Sequence, residues 1–259
     1  MNKDKYDIYI SDVCFVTSLS KEEINLPRRI YSDFERNNRY THYEEKEKLT
    51  FSFKELNNFK DYTDFITECK YQIINENRAF LFHIEMHGSE KGLHLNNNEV
   101  IPWRDFYRDL SELNKLSSFN QVINFATCYS FQFLEKNVDW ELPSPYQICI
   151  YSKEEVPVQE IEDFYTSFYD NFIHNKDFNA AFQSAKNFNK RLRIMSSINL
   201  FDSLYNKAIY LLIKESELPY FKQFKKYLKN KSFLNHNDIK KIPQLRKEKF
   251  EYRQKFLGY

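Results

Sequence analysis

A histidine and a cysteine each follow an apolar segment of the sequence. His87 comes directly after segment 80–86, and Cys128 comes directly after segment 121–127. An imidazole can serve as a general base, and a thiol becomes a strong nucleophile once a base removes its proton. The two residues together predict nucleophilic catalysis by a thiol, provided that the fold brings the two segment ends to one place.

Glycine is scarce in this chain and concentrated beside the histidine. The sequence contains 3 glycines, and two of them are Gly88 and Gly92. Glycine allows the backbone to adopt conformations and close approaches that a Cβ atom would prevent. In open parallel sheets, ligands bind beyond the carboxyl ends of the strands. The loop that begins at His87 is therefore predicted to line a functional site.

Strand-like and helical segments alternate over most of the chain. Strands are predicted at 6–10, 49–53, 80–86, 121–127 and 146–151, and helices near 55–75, 103–115 and 129–137. The last three strands are almost continuously apolar, as strands buried on both faces are. This alternation predicts an α/β fold in which helices flank a central, mostly parallel sheet of five or six strands.

The segment between the first two predicted strands is polar and irregular. Residues 16–47 contain Pro27, two adjacent arginines and several asparagines, and they show no clear periodicity. Long loops inside compact domains are often functional or mobile. We expect this segment to be a long surface excursion rather than a regular element.

The pattern changes in the last third of the chain. From residue 160 onward it is helical, with its clearest runs at 200–228 and 237–257. A basic set of lysines in these runs is most simply a solvated helix face. We therefore expect an α/β domain over residues 1–195 and a helical C-terminal extension over residues 196–259, packed on it or beside it.

The order of the strands decides whether His87 and Cys128 can work together. Neighbouring strands lie about 4.8 Å apart in the hydrogen-bonding direction, so adjacent strand ends would let the imidazole and the thiol face each other across one groove. Cys128 also precedes the helical stretch 129–137, and N–H groups at a helix N-terminus stabilise a nearby thiolate. We expect strands 80–86 and 121–127 to be parallel neighbours.

Three stretches of the sequence resemble a known group of proteases. FLFHIEMHGSEKGLHL, QVINFATCYS and YQICIYS, in this order, resemble the caspase-like superfamily, in which one apolar strand ends in His-Gly and a later one ends in the nucleophilic cysteine. The resemblance covers roughly residues 5–190 and is strongest for bacterial CHAT and metacaspase-type proteases. The caspase signature QAC-x-G is absent, since Thr127 precedes Cys128, so cleavage after aspartate is not implied.

The resemblance implies an activity and a set of site residues. It implies a caspase-like sandwich over residues 1–195 and a cysteine endopeptidase whose dyad is Cys128 and His87. Backbone N–H groups of Gly88 and Cys128 would form the oxyanion hole, and no cofactor is required. It further implies a regulated bacterial effector of antiviral defence or cell death, which a protein partner or a ligand switches on.

Composition limits the cellular compartments and the classes of binding partner that suit this protein. The formal net charge of +1, from 38 basic and 37 acidic residues, provides no field that would attract nucleic acid. No segment reaches the ~18 consecutive apolar residues of a membrane span, and the first residues lack the features of a secretory signal. The 4 cysteines show no CxxC spacing, which suits a reducing compartment. We expect a cytoplasmic protein that acts on a protein or peptide substrate, without nucleic acid or a membrane span.

Two further histidines allow other interpretations of the site. His83 lies in the strand before His87 with the same predicted facing, and His94 follows the glycine-rich loop, so both are candidates for supporting positions around the dyad. A zinc site built from His83, His87, His94 and Cys128 is a further alternative. The sequence contains neither HExxH nor paired CxxC spacing, and we predict no metal.

Two hypotheses from other functional classes stay open at this stage. The chain could be a catalytically silent caspase-like module that acts as a binding partner or scaffold, although such a module has no chemical reason to carry both His87 and Cys128. It could also be a helical signalling adaptor whose main interface lies in region 200–259. The remaining cysteines are expected to be small buried hydrophobic residues: Cys14, Cys69 and Cys149.

Overall fold

The secondary-structure elements alternate along the chain as an α/β protein requires. The computed structural model describes residues 8–44, 48–135, 142–202, 251, 254, 256 and 257. The elements are β1 (Asp12–Ser18), α1 (Asn25–Arg39), β2 (Thr50–Glu55), α2 (Phe59–Glu76), β3 (Phe80–Met86), β4 (Gly92–His94), β5 (Val100–Pro102), α3 (Trp103–Leu116), β6 (Val122–Phe125), α4 (Phe131–Glu135), β7 (Ile148–Ser152), α5 (Val158–Asn175), α6 (Phe178–Ala185) and β8 (Leu192–Ser196).

Six of these strands form one central sheet in the order β2-β1-β3-β6-β7-β8. The pairs β1–β2, β1–β3, β3–β6 and β6–β7 are parallel, and β7–β8 is antiparallel. Strands β4 and β5 form a separate antiparallel pair. The predicted α/β fold with a mostly parallel central sheet is confirmed, and so is the prediction that strands 80–86 and 121–127 are parallel neighbours.

Helices cover both faces of the sheet. Alternate residues of β3, from Phe80 to Met86, join a hydrophobic cluster with α2 and α3, whereas Leu81 joins a second cluster with α1, α5 and α6. A strand buried on both sides needs apolar residues at nearly every position, as β3 and β7 have. Each large apolar side chain buried in this way stabilises the fold by about 1.5–3 kcal/mol. The helices thereby fix the strand ends in place.

The described C-terminal residues contribute to the first of these clusters. Phe201 and Phe256 are buried there, with their ring centroids 5.7 Å apart. The backbone N–H of Ser144 donates to the carbonyl of Phe256 at 2.8 Å. Most of the predicted helical runs 200–228 and 237–257 lies outside the described residues. The division into 1–195 and 196–259 stays a prediction.

The first strand lies later in the chain than the sequence predicts. Among residues 6–10, the structure describes residues 8–10 and they form no strand, whereas β1 begins at Asp12. Arg78 lies 3.3 Å from the Asp12 carboxylate, so a buried charged residue is accommodated at the start of the strand. Because the charged residue Asp12 interrupts the run of apolar residues, the sequence pattern predicts a strand before Asp12 instead of one that begins at it.

Segment 16–47 is not an irregular excursion, and this prediction is wrong. It contains the end of β1 and the helix α1, in which Ile30, Phe34 and Asn38 are buried at a spacing of four. The rest of α1 is mostly polar because it faces solvent. Pro27 lies in the first turn, where a missing N–H costs nothing. Asn38 donates to the carbonyl of Leu49 at 2.7 Å, so its polar side chain is buried with a partner.

The prediction that the chain is helical from residue 160 to its end is also wrong. After α5 and α6 the chain forms β8, which pairs antiparallel with β7 at the sheet edge. Leu192 and Ile194 pack on the α5 side of the sheet, whereas Arg193 is exposed. A period of two over five residues is too short to be distinguished from the helical pattern around it.

Candidate active site

The sheet topology brings three chain segments to one edge. Strands β1, β3 and β6 are parallel, so the loops that follow them lie at the same carboxyl edge. The chain leaves β1 toward β2 on one side and returns to β3 on the other, so the strand order reverses between β1 and β3. Open α/β sheets bind ligands at such a reversal. His87 follows β3 there, and Cys128 follows β6.

A groove at this edge contains both predicted catalytic residues. His87, Gly88 and Cys128 line a cavity of about 390 Å³, which we call the edge groove. Its other lining residues are Leu19, Glu23, Leu26, Glu85, Met86, Ala126, Tyr129, Glu155, Val156, Val158 and Ile161. No hydrogen bond joins the Cys128 thiol to the His87 ring, both of which lie in the described part of the chain. Catalytic hydrogen bonds often form only when substrate is present.

Gly88 brings the loop after β3 into contact with the loop after β6. A Cβ atom at this position would lie 2.2 Å from the carbonyl oxygen of Cys128 and 2.7 Å from Cγ2 of Thr127. Only glycine therefore allows the loop after β3 to pack against the loop after β6. The Thr127 hydroxyl donates to the carbonyl of Ile84 at 3.0 Å and holds the second loop to β3. The roles of the Gly88 and Cys128 N–H groups as an oxyanion hole stay a prediction.

Cys128 lies in a strained turn rather than at the start of a helix. Tyr129, the next residue, has a φ of 59°, in the left-handed region that non-glycine residues rarely adopt. The Ser130 hydroxyl donates to the carbonyl of Ser152 and accepts from its N–H, which ties the turn to the end of β7. The helix α4 begins only after Ser130, at Phe131, and is described as far as Glu135. Cys128 therefore does not lie at a helix N-terminus, and the expected stabilisation of its thiolate by helical N–H groups does not apply.

His87 has a carboxylate partner that the sequence analysis missed. The Nε2 atom of His87 lies 3.0 Å from Oε1 of Glu23, and their side chains are 65% and 46% exposed. Hydrogen bonds from Ser20 and the nearby His87 lower the pKa of Glu23. The signal was present, because Ser20 and Glu23 have the S-x-x-E spacing of a helix capping box. It was overlooked because the whole segment was predicted to be irregular.

His83 lies in the protein core and not in the edge groove. It is completely buried, with Nδ1 3.0 Å from the hydroxyl of Tyr169 and Nε2 3.3 Å from Oε2 of Glu85. The hydroxyl of Tyr169 also accepts a hydrogen bond from Asn124. Because Glu85 lines the edge groove, His83 reaches the site only through this carboxylate. The structure gives it a packing role with one indirect connection to the groove.

His94 lies on the other side of His87. Its backbone N–H donates to the carbonyl of His87 at 2.8 Å. His94 also lines a second, more polar cavity of about 340 Å³, together with His87, Gly88 and Glu23. It therefore supports the loop after β3 through its backbone, and it is not among the residues that line the edge groove.

The other three cysteines differ from Cys128 in their surroundings. Cys14, Cys69 and Cys149 are buried, whereas Cys128 is partly exposed. Burial raises the pKa of the Cys14 thiol to about 12, and it raises the pKa of Cys69 and Cys149 well above the ordinary range. A buried neutral thiol is a poor nucleophile. These three residues are structural, as the sequence predicts.

The described residues contain neither a cluster of metal-ligating side chains nor a helix suited to span a membrane. The described ranges contain no group of three or more histidine, cysteine or carboxylate side chains placed to hold a metal ion. His83, His87, His94 and Cys128 do not converge, because His83 is buried in the core and His94 faces the second cavity. None of the described helices is long and apolar enough to cross a membrane.

Comparisons with known proteins give a limited result. No family model matches the chain, and no curated protein sequence matches it. Among solved structures, the chain is similar to the X-ray structure of a secreted C11 cysteine protease from Bacteroides thetaiotaomicron in complex with an irreversible peptide inhibitor. The identity is 10% and the TM-score 0.44, with 75% of this chain and 68% of that chain covered. A similarity of this size does not assign a family, so the function has to follow from the groove itself.

Proposed function

We propose that this protein is a cysteine endopeptidase that uses Cys128 as nucleophile and His87 as base. The observation that carries the proposal is the edge groove, in which a partly exposed thiol and a partly exposed imidazole follow adjacent parallel strands. The glycine contact between their loops adds support, since Gly88 lets the two backbones meet beside the thiol. The sequence resemblance to caspase-like proteases, strongest for the CHAT and metacaspase types, points to the same reaction.

The reaction proceeds through a covalent acyl-enzyme. His87 takes the proton from the Cys128 thiol, and the thiolate attacks the carbonyl carbon of a peptide bond. The carbonyl oxygen becomes an oxyanion, which the N–H groups of Gly88 and Cys128 hold. The imidazolium then gives its proton to the leaving amine, and the C–N bond breaks. A water molecule, deprotonated by His87, hydrolyses the thioester and regenerates the thiol.

The substrate is a protein or peptide, and no cofactor takes part in these steps. An extended peptide fits a groove that is open to solvent and lined by both apolar and carboxylate side chains. The Cys128 thiol and the His87 ring, both described, share no hydrogen bond, which is compatible with an enzyme that a protein partner or ligand activates. The resemblance to bacterial CHAT-type proteases supports our further proposal that the protein is a regulated cytoplasmic effector of defence or cell death in bacteria.

The test is cleavage of a positional peptide library by the purified chain. Wild-type protein should cleave peptides at defined positions, and Cys128→Ala should cleave none of them. A matched control is Cys149→Ala, which removes a buried thiol that does not line the groove and should keep the activity. If no peptide is cleaved, either alone or with candidate activators from the host cell, the silent scaffold hypothesis becomes the better account. If the cleavage persists in Cys128→Ala, the mechanism is wrong.

A further inference from the structure

Glu23 uses its two carboxylate oxygens for two different tasks. Oε2 accepts hydrogen bonds from the backbone N–H of Ser20 at 3.2 Å and from the Ser20 hydroxyl at 2.7 Å. Oε1 lies 3.0 Å from Nε2 of His87. Because one oxygen is already held by Ser20, the position of the other is fixed before it meets the histidine. A carboxylate prepared in this way can orient an imidazole.

The capping box explains only half of this arrangement. The Ser20 hydroxyl accepts from the N–H of Glu23 at 3.4 Å, which completes the reciprocal pair that begins the turn before α1. A capping box needs no third residue. The loop after β1 nevertheless places this carboxylate against the loop after β3, at the reversal of strand order where the edge groove opens. The capping box would form without the contact to His87, so the cap does not explain why this contact is present.

We propose that Glu23 is a positioning residue, which holds His87 in the orientation and tautomer that the reaction at Cys128 needs. The proposal rests on the protease function proposed above and adds a third side chain to its dyad. Glu23 does not touch the reacting sulfur in this scheme, and it acts on the chemical step through His87.

The chemistry follows from which ring nitrogen carries the proton. Glu23 is ionised at neutral pH, because its pKa is lowered, and a carboxylate can only accept a hydrogen bond. The Nε2 atom of neutral His87 must then carry the hydrogen, which leaves the lone pair on Nδ1. Nδ1 is the atom that takes the proton from the Cys128 thiol. The imidazolium formed in this step keeps its Nε2–H bond to Glu23, so the carboxylate also stabilises the positive charge.

The experiment compares four single variants of the full chain. Glu23→Ala removes the acceptor, and Glu23→Gln keeps an amide oxygen that can still accept. Because the pair is exposed to solvent, we expect Glu23→Ala to lower kcat about three- to tenfold with a smaller change in KM, and Glu23→Gln to recover part of the loss. Glu22→Gln changes an exposed neighbour outside the groove and should behave as the wild type. Ser20→Ala removes the hydroxyl and weakens the cap, but it keeps the Ser20 N–H that holds Oε2, so Oε1 of Glu23 can still reach His87.

A spectroscopic measurement separates positioning from stability. In a Cys128→Ala background, the ¹⁵N shifts of His87 should show the Nε2–H tautomer, and Glu23→Ala should convert it to a mixture of tautomers. Ser20→Ala should lower thermal stability as much as Glu23→Ala does, yet lose less of kcat. The proposal is overturned if Glu23→Ala keeps the wild-type kcat, if the tautomer does not change, or if Ser20→Ala loses as much activity. If the wild-type protein shows no cleavage that depends on Cys128, the proposed protease function is wrong. The proposed role of Glu23 is then wrong as well.

Discussion

The interior of the sheet and its carboxyl edge use the same residue types in opposite ways. His83 lies within β3 and Cys149 within β7, and both are completely buried. Burial raises the pKa of the Cys149 thiol. The His83 imidazole contacts Tyr169 and Glu85. His87 lies just beyond β3 and is largely exposed. The difference shows that position along a strand, rather than residue type, decides whether a histidine or cysteine of this protein is buried in the core or open to the edge groove. Strand interiors are covered by helices, and strand ends are open.

The comparison predicts its largest effect for the residues at the edge. His87→Ala should lower kcat/KM by at least about 10³-fold, and the double variant with Cys128→Ala should be no worse than Cys128→Ala alone, because base and nucleophile act as one unit. Steady-state cleavage of one peptide from the library measures this. His83→Ala is the matched interior variant and should lose stability while keeping most of its activity per folded molecule. Equal losses from His83→Ala and His87→Ala would remove the distinction between edge and interior.

A second prediction concerns the two glycines of the loop after β3. A Cβ atom at Gly88 would collide with the carbonyl oxygen of Cys128, whereas a Cβ atom at Gly92 would lie 2.0 Å from the carbonyl oxygen of Ile101. Gly88→Ala should therefore displace the thiol and the oxyanion donors, with a loss of about 10²–10³-fold in kcat. Gly92→Ala should mainly distort the β4–β5 pair and lower thermal stability.

Measurement of kcat and of the melting temperature on both variants separates the two glycines. A Gly88→Ala variant that cleaves at the wild-type rate, whatever its melting temperature, would contradict the proposed role of this contact in catalysis. The same result would place the oxyanion donors elsewhere.

A third prediction uses the charge of the edge groove. Its described lining includes Glu23, Glu85 and Glu155 but neither lysine nor arginine. A groove of this charge should bind cationic side chains better than acidic ones, so peptides with lysine or arginine at the cleavage site should be cut faster than matched glutamate peptides. Glu155→Gln should weaken this preference several-fold, and added salt should do the same. Glu154→Gln, one residue away and outside the groove, is the control. A preference for acidic peptides would contradict the prediction.

The smallest effect on activity is expected in the interior. Tyr169→Phe removes a buried hydroxyl that contacts His83 and accepts from Asn124. Two buried polar groups would lose a partner, so the free energy of unfolding should fall by about 1–3 kcal/mol. The activity of the folded protein should stay close to that of the wild type. Urea unfolding measures the change in stability, and peptide cleavage measures the change in activity. A loss of activity without a loss of stability would show that the interior network takes part in catalysis.

The same difference between interior and edge explains how much the sequence could reveal. The runs of apolar residues predicted the bounds of β3 and the presence of its neighbour β6, because a strand covered on both faces needs apolar residues throughout. The observed β6, Val122–Phe125, is shorter than the predicted strand 121–127. The positions of His87 and Cys128 followed directly from the ends of these runs. The parallel pairing that brings them to one groove was inferred from the alternation of elements and is confirmed by the structure.

Local patterns failed where polar residues are part of a regular element. The helix α1 was missed because it buries only a narrow face, and β8 was missed because it has five residues and lies between helices. Because the sequence pattern does not predict α1, it also does not single out Glu23, which belongs to the capping box before that helix. Its contact with His87 joins residues that are distant in sequence, so only the sheet topology could have suggested it.

The most direct test of the central claim is the rate at which each thiol reacts with iodoacetamide near neutral pH. The folded wild-type protein should be alkylated at Cys128 first, because Cys14, Cys69 and Cys149 are buried and their raised pKa values keep them protonated. The His87→Ala variant should react more slowly at Cys128, with the other three rates unchanged. Mass spectrometry of the digested protein measures each rate separately. Equal labelling of all four cysteines, or a Cys128 rate that does not depend on His87, would contradict a catalytic pair at the carboxyl edge of the sheet.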